Sequence, residues 1–394
     1  MSEALSIGIV CFPSLGGSGI VATELGVGLS RRGHRVHVIA SAPPSRTLPA
    51  QERLFFHEVA LSSDPVLEHS PYALTLAASL VDVVNAHRLD LIHVHYAVPH
   101  STSAYLARQI LAAAAPRIVT TLHGTDVTHV GSDPSLRAVT RFAVAQSDGI
   151  TVPSEFLRQA AFRMLDLPAG LPIEVIPNFV DTEHFTPAPE RDRSRFDEVF
   201  AAADGEAADQ GSPVLFHVSS FRAVKRVTDL IDVLAGVRQH LPARLMLVGD
   251  GPERARSMQR ARELDVAKSV CHVGARADFV DFLKHADAFL LSSESESFGV
   301  AALEALSCGV PVVAYRVGGL PEVVTPEVGR LVEPYDIAAL TAATLDVITH
   351  AERREALGRA ARAHVESRFR CEPTLLRYEA LYRRVLSAAR KGVT

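Results

Sequence analysis

Short runs rich in isoleucine and valine alternate along this chain with segments of helical period, and the alternation stops once and then restarts. In the first half, residues 6–10, 35–40, 91–95, 117–122, 149–153 and 173–177 read as strands, with helices at 20–32, 73–87, 101–113 and 135–146 between them. Apolar strands separated by helices imply a parallel sheet covered on both faces, because each parallel return needs a crossover. Residues 186–213 break the pattern with Pro, Ala, Asp, Glu and Arg, and read as an interdomain connection holding a short helix. Strands at 214–219, 244–249, 270–274, 288–291 and 310–315 then build a second sheet, with helices at 228–240 and 298–307. Three helical segments, within 336–350, 352–366 and 373–390, end the chain. The expected fold class is α/β, with two doubly wound Rossmann-like domains facing across a cleft. A chain of 394 residues is too long for one ordinary core. We place the domains at 1–185 and 213–372, with 186–212 as linker. Ligands of such sheets bind beyond the carboxyl ends of the strands.

A net charge of −5 argues against nucleic acid as the main partner, which calls for a basic surface. Cys11, Cys271, Cys308 and Cys371 are scattered with no CxxC pair, so neither a zinc framework nor a disulfide scaffold is expected. The first residues lack a basic segment ahead of a long apolar run, and no stretch reaches the ~20 apolar residues of a membrane span. A cytoplasmic protein needing no membrane is the expectation.

The first strand runs into Ser14-Leu-Gly-Gly-Ser-Gly19 and then a helix. Glycines there let backbone N–H groups approach an anion at the positive helix terminus. Gly17 to Ala22 fits G-x-G-x-x-A, the dinucleotide fingerprint, but the second strand ends in Ile39-Ala-Ser-Ala42 without the ribose-binding carboxylate. His93, His95, His100, His123, Asp126 and His129 form a dense constellation. Zinc ligation is one use of such a set. Their spread over loops after separate strands favours substrate contact instead, with His123 the foremost candidate and packing the role of His93 and His100. Arg137 and Arg141 share one helix face, where an arginine fork matches an acidic acceptor.

In the second half, Phe221-Arg-Ala-Val-Lys-Arg226 places three cations just past a strand, a costly gathering unless an anion such as a diphosphate neutralises them. Gly249-Asp-Gly-Pro252 and Gly274-Ala-Arg276 are turns at strand ends. The strongest signal is Glu294-Ser-Glu-Ser-Phe-Gly-Val-Ala-Ala-Leu-Glu304. Glu304 stands in an apolar stretch, where a carboxylate needs donors such as ribose hydroxyls. Glu296 can reach sugar hydroxyls, and the amides of Ser297–Gly299 can receive phosphate or sugar oxygens.

Glu296 and Glu304, Asn178-Phe-Val-Asp181, Val248-Gly-Asp-Gly-Pro252 and Val317-Gly-Gly-Leu-Pro-Glu322 together resemble family 4 of the glycosyltransferases, of GT-B architecture, over nearly the whole chain. Within it, residues 16–26, 93–100, 120–126, 131–135 and 221–227 resemble the N-acetyl-α-D-glucosaminyl L-malate synthases of bacillithiol biosynthesis. The resemblance implies retaining transfer of N-acetylglucosamine from UDP-GlcNAc to the hydroxyl of L-malate. It implies that Glu304 holds the ribose and that Glu296 holds the sugar beside Phe298 and Gly299, with Gly249 and Ser297 also lining the donor. Arg222 and Lys225 would bind the diphosphate, and His123 would touch the transferred sugar. Gly17 and Ser18 would face phosphates or acceptor, with Tyr96, Thr121 and Arg141 in the malate pocket. Residues 373–394 would complete the first domain. Many family members carry Gly-Arg where this chain has Ser219-Ser220, so Arg222 must serve as the first diphosphate cation.

No D-x-D metal–diphosphate motif is present, and two cations can replace Mg²⁺, so neither metal nor cofactor is expected. The implied partners are the two small substrates, with a homodimer left open. Family 4 enzymes with an inositol phosphate, lipid or glycan acceptor, and a dinucleotide-dependent oxidoreductase, are the alternatives.

Overall fold

The computed structural model describes residues 3–13, 17–44, 51–61, 71–202 and 212–389. Residues 14–16 of the glycine loop, 203–211 of the expected linker and 390–394 of the final helix lie outside them.

The chain forms two units, Met1–Asn178 with Cys371–Thr394, and Phe179–Arg370. In the first, β1 (Ser6–Val10), β2 (Arg35–Ala40), β3 (Leu54–Glu58), β4 (Leu91–His95), β5 (Arg117–Thr121), β6 (Gly149–Val152) and β7 (Glu174–Val175) form one sheet in the order β3-β2-β1-β4-β5-β6-β7. Every pairing is parallel. The order reverses between β1 and β4, the switch point where open α/β sheets bind ligands. Among the strands, β4 is buried along its whole length, consistent with helices on both faces.

The second unit repeats the plan with β8 (Val214–Val218), β9 (Arg244–Val248), β10 (Val270–His272), β11 (Ala288–Leu291), β12 (Val312–Tyr315) and β13 (Gly329–Val332). Their order, β10-β9-β8-β11-β12-β13, puts the switch between β8 and β11.

Residues 186–202 hold the expected short helix but differ from the linker reading in where they belong. Asn178 closes the first unit, and the helix Ser194–Ala202 belongs to the second. Its Phe196 and Phe200 lie in the second unit's core, each worth about 1.5–3 kcal/mol in burial. Arg193 reaches the fully buried Asp287 at 2.6 Å, and Arg244 stands 4.7 Å over the Phe200 ring. The Pro- and charge-rich composition hid two anchoring phenylalanines at helical spacing.

The helix Cys371–Ser387 packs in the first unit. Its Glu379 accepts from Arg32 at 2.5 Å and meets His34 at 3.2 Å, while Tyr382 meets His93 at 2.8 Å.

Candidate active site

In the second unit the loops after β8, β9, β11 and β12 are laced together at the carboxyl end of the sheet. Phe221 N–H donates to Asp250 O at 2.8 Å, and Glu294 N–H donates to Val224 O at 2.9 Å. Ser292 Oγ, just past β11, donates to the carbonyls of Lys225 and Arg226. Gly249 has φ 125°, and a Cβ there would fall 1.8 Å from Ser219 O, so this turn can close only around glycine.

This lacing brings Lys225 Nζ to 2.5 Å from Glu296 Oε1, both side chains being mostly buried. Two residues 71 apart in sequence thus meet as an ion pair. An ammonium has three donors. One on Glu296 leaves two for an anion. Arg222 is exposed, its Nε 3.3 Å from Ser220 Oγ. Arg226 is engaged instead: it pairs with buried Asp229 at 2.8 Å and stands 4.6 Å over the Tyr335 ring. Tyr315 OH donates to the same Asp229, so the third cation of the loop supports structure.

Glu296 is also fixed through its backbone. Gly319 N–H donates to Glu296 O at 2.9 Å. Gly318 sits at φ 56°, where an added Cβ would come within 1.8 Å of the same oxygen. Both partners are backbone, so Gly318→Ala must push Glu296 away. We expect kcat to fall on the order of 100-fold, as for other ångström-scale misplacements. Steady-state rates of the purified variant check this, and unchanged turnover would remove the proposed constraint.

Ser297 is half-buried and Phe298 buried against Phe369, which leaves Phe298 only its backbone to offer a ligand. Gly299 precedes the helix Val300–Ser307, and Glu304 is buried on it at 4% exposure. Sequence reading missed His217, whose Nε2 meets Ser219 Oγ at 2.8 Å while its Nδ1 meets Leu290 O. Burial pushes it down to about 4, so it stays neutral beside the cationic loop.

In the first unit, Gly17 is exposed and Ser18 half-buried in the first turn of the helix Gly17–Arg31, which follows β1. His123 follows β5 and is half-buried, its Nε2 at 2.9 Å from His95 Nδ1. That contact leaves Nδ1 as the nitrogen open to a ligand. Burial pushes His123 down to about 3, and the nearby His100 adds to this. Asp126 organises the loop by accepting from the N–H groups of His123, Gly124 and Ala97 at 2.8–3.1 Å. Its burial nonetheless raises it to about 6.

His93 and His100 take packing roles. His93 bridges Tyr382 OH and Thr121 Oγ1, and His100 Nδ1 meets His95 O at 2.6 Å. Thr121 is a correction to the acceptor set: it is 1% exposed and bonded to both His93 and Thr151, so its hydroxyl faces the interior. Tyr96 is half-buried with φ 105°, its ring edge-on to Phe12 at 5.2 Å. Arg141 forms an exposed pair with Asp166 at 2.7 Å, which an incoming carboxylate can replace.

Comparison with known proteins decides what such a pair of sites belongs to. The family model for Glycosyltransferase Family 4 matches residues 15–184, and that for Glycosyl transferases group 1 matches residues 201–364. An N-acetyl-alpha-D-glucosaminyl L-malate synthase from Bacillus anthracis is 38% identical over 98% of this chain and 99% of its own. The chain is a family 4 glycosyltransferase. A D-inositol 3-phosphate glycosyltransferase from Saccharomonospora viridis is 31% identical, covering 95% of this glycosyltransferase and 90% of its own length. Sucrose-phosphate synthase from Thermosynechococcus elongatus superposes with a TM-score of 0.79 at 22% identity, over 98% of this chain and 100% of that one. That likeness gives the fold class, GT-B. Among the described residues, no helix is long and apolar enough to cross a membrane.

Proposed function

We propose that this glycosyltransferase moves N-acetylglucosamine from UDP-GlcNAc to the hydroxyl of L-malate with retention, the first step of bacillithiol biosynthesis. The observation that carries the reading is the 38% identity, spread over 98% of the chain, with a relative named for that product. The inositol phosphate enzyme matches less closely, at 31%.

The second unit is the donor half-site in this reading. Glu304 accepts from the ribose hydroxyls and Glu296 from the sugar's hydroxyls. Lys225 and Arg222 hold the diphosphate, while Gly249 and the amides of Ser297, Phe298 and Gly299 complete the wall. The first unit supplies His123 to the transferred sugar, Gly17 and Ser18 to phosphates or acceptor, and Tyr96 and Arg141 to malate. A neutral His123 is a hydrogen-bond partner and not a general acid.

The carboxylate of Glu296 is held in an ion pair with Lys225. This favours front-face substitution over a glycosyl-enzyme intermediate on Glu296. The bond from the anomeric carbon to the β-phosphate oxygen breaks, and a bond to the malate oxygen forms on the same face. The malate proton passes to the departing phosphate, whose charge Lys225 and Arg222 stabilise. Those two cations do the work of a divalent metal at the diphosphate.

The test is incubation of the purified protein with UDP-GlcNAc and L-malate in excess EDTA, following UDP release and product mass. Malate-dependent UDP with the glycosylated malate mass is expected. UDP release that ignores malate would retain the donor and discard the acceptor. Turnover only after Mg²⁺ is restored would discard the metal-free diphosphate site.

A further inference from the structure

Three histidines that no step above uses converge from three elements of the first unit. In the β2–β3 register His37 faces Phe55 and Ile39 faces His57, so His37 and His57 lie on the same face of the sheet. His87 closes the helix Tyr72–His87. The ring centroids of His37 lie 5.1 Å from those of His57 and 4.4 Å from those of His87, and His57 and His87 are 5.1 Å apart. One nitrogen of each ring lies within 4.8 Å of the other two. His37 Nδ1 meets His57 Nε2 at 2.9 Å. His37 is fully buried, yet its Nε2 finds no hydrogen-bond partner.

Gathering three imidazoles this closely is costly for a protein without a common ligand. A buried ring nitrogen with no partner loses its hydration without return. We infer that His37, His57 and His87 form a binding site for a borderline divalent metal ion, with Zn²⁺ the occupant that fits it best. Imidazole nitrogens suit Zn²⁺, Co²⁺, Ni²⁺ and Cu²⁺, whereas Mg²⁺ and Ca²⁺ take oxygen. Zinc–nitrogen bonds of about 2.0–2.1 Å in tetrahedral geometry set ligand nitrogens about 3.4 Å apart. That spacing lies within the 4.8 Å over which one nitrogen from each ring converges, so the three can share a single ion. His57 and His87 are half-buried, which lets water reach the fourth position.

The histidines around His123 differ. His95 Nε2 is also buried without a partner, but His93, His95, His100 and His123 are tied to one another's rings and backbone or to Tyr382 and Thr121, and among the described residues only the His37 set brings three ligand atoms within 4.8 Å of one another. The metal at His37 would act as a staple, joining edge strand β3 to β2 and to the helix that leads into β4. This role is independent of the diphosphate chemistry, so chelation can leave turnover intact while loosening the fold.

The experiment is a titration of the chelator-stripped, full-length protein with ZnCl₂, read by calorimetry and by melting temperature, with CoCl₂ as a spectroscopic probe. One tight equivalent of Zn²⁺, a raised melting temperature and visible bands typical of four-coordinate Co²⁺ are expected. His57→Ala and His87→Ala, both at half-buried positions, should each weaken binding by at least about 100-fold, more than loss of an outer-shell partner does. Their circular dichroism would match that of the stripped wild type, which separates ligand loss from misfolding. No stoichiometric binding, or binding that survives both substitutions unchanged, would overturn the site.

Discussion

Lys225→Ala is expected to lower kcat by 10²–10³, about 2.7–4 kcal/mol of transition-state stabilisation, with a smaller effect on the folded state. The ammonium is mostly buried and 2.5 Å from Glu296, so in the proposed donor site it is already held where negative charge would develop. No reorganisation is then needed as the sugar–phosphate bond breaks. The loss should fall on kcat as well as on the KM for the donor, because charge on the departing phosphate exceeds that in the bound donor. Arg222→Ala should lower turnover less, since that side chain is exposed. Initial rates with varied UDP-GlcNAc, beside melting curves of each variant, make the measurement. Wild-type rates in both variants would remove the diphosphate assignment.

The first unit should lose stability steeply below neutral pH. His93 and His100 are fully buried, and burial pushes them down to about 3 and about 4. In the unfolded chain they titrate near 6.5. Their contribution is therefore complete above about pH 6.5 and is lost as pH falls toward the folded values, because only the unfolded state gains the proton. At pH 5 each costs about 2 kcal/mol, a large share of the 5–15 kcal/mol of a typical domain. Asp126 runs the other way: burial raises it to about 6, so it returns about 1 kcal/mol at the same pH. Thermal unfolding at pH 7.5 and pH 5 should show the net loss, and His100→Gln should flatten it. A melting temperature independent of pH across that range would refute this account.

The strands that sequence patterning placed best are interior ones. β1, β2, β4 and β11 begin and end where their apolar runs do, because burial on both faces permits little else. The pattern is silent at one edge of each sheet, at β3 and β13, though it finds the opposite edges β7 and β10. β3 reads Leu-Phe-Phe-His-Glu and is mostly half-exposed, and β13 holds Gly329 and Arg330. The helix Arg254–Glu263 is missed for a related reason: it buries only Ser257 and Ala261, which leaves no apolar stripe to detect. In the site, the motif residues could be named individually, but the Lys225–Glu296 contact could not, since strand order alone brings β8 beside β11. Thr121 misled because a hydroxyl at a strand end looks available until Tyr382 and His93 are seen beneath it. His37, His57 and His87 lie 20 and 30 residues apart, with no motif spacing to announce them.

Asn178 ends and Cys371 resumes the first unit, so the second is an insertion within it. The insertion is closed at its own base: Val180 N–H donates to Phe369 O at 3.1 Å, and Val180 pairs with Arg370. On the ribosome, synthesis runs from the amino end, and the sheet of the first unit emerges long before the helix that covers it. His93 then waits for Tyr382, and Arg32 for Glu379, until the whole second unit has been synthesised. The second unit holds every strand of its sheet by residue 332 and has its base paired by residue 370. Maturation is therefore out of register with the gene: the half encoded first is the half finished last. A premature stop just before Cys371 would leave a finished second unit joined to an open, adhesive first one.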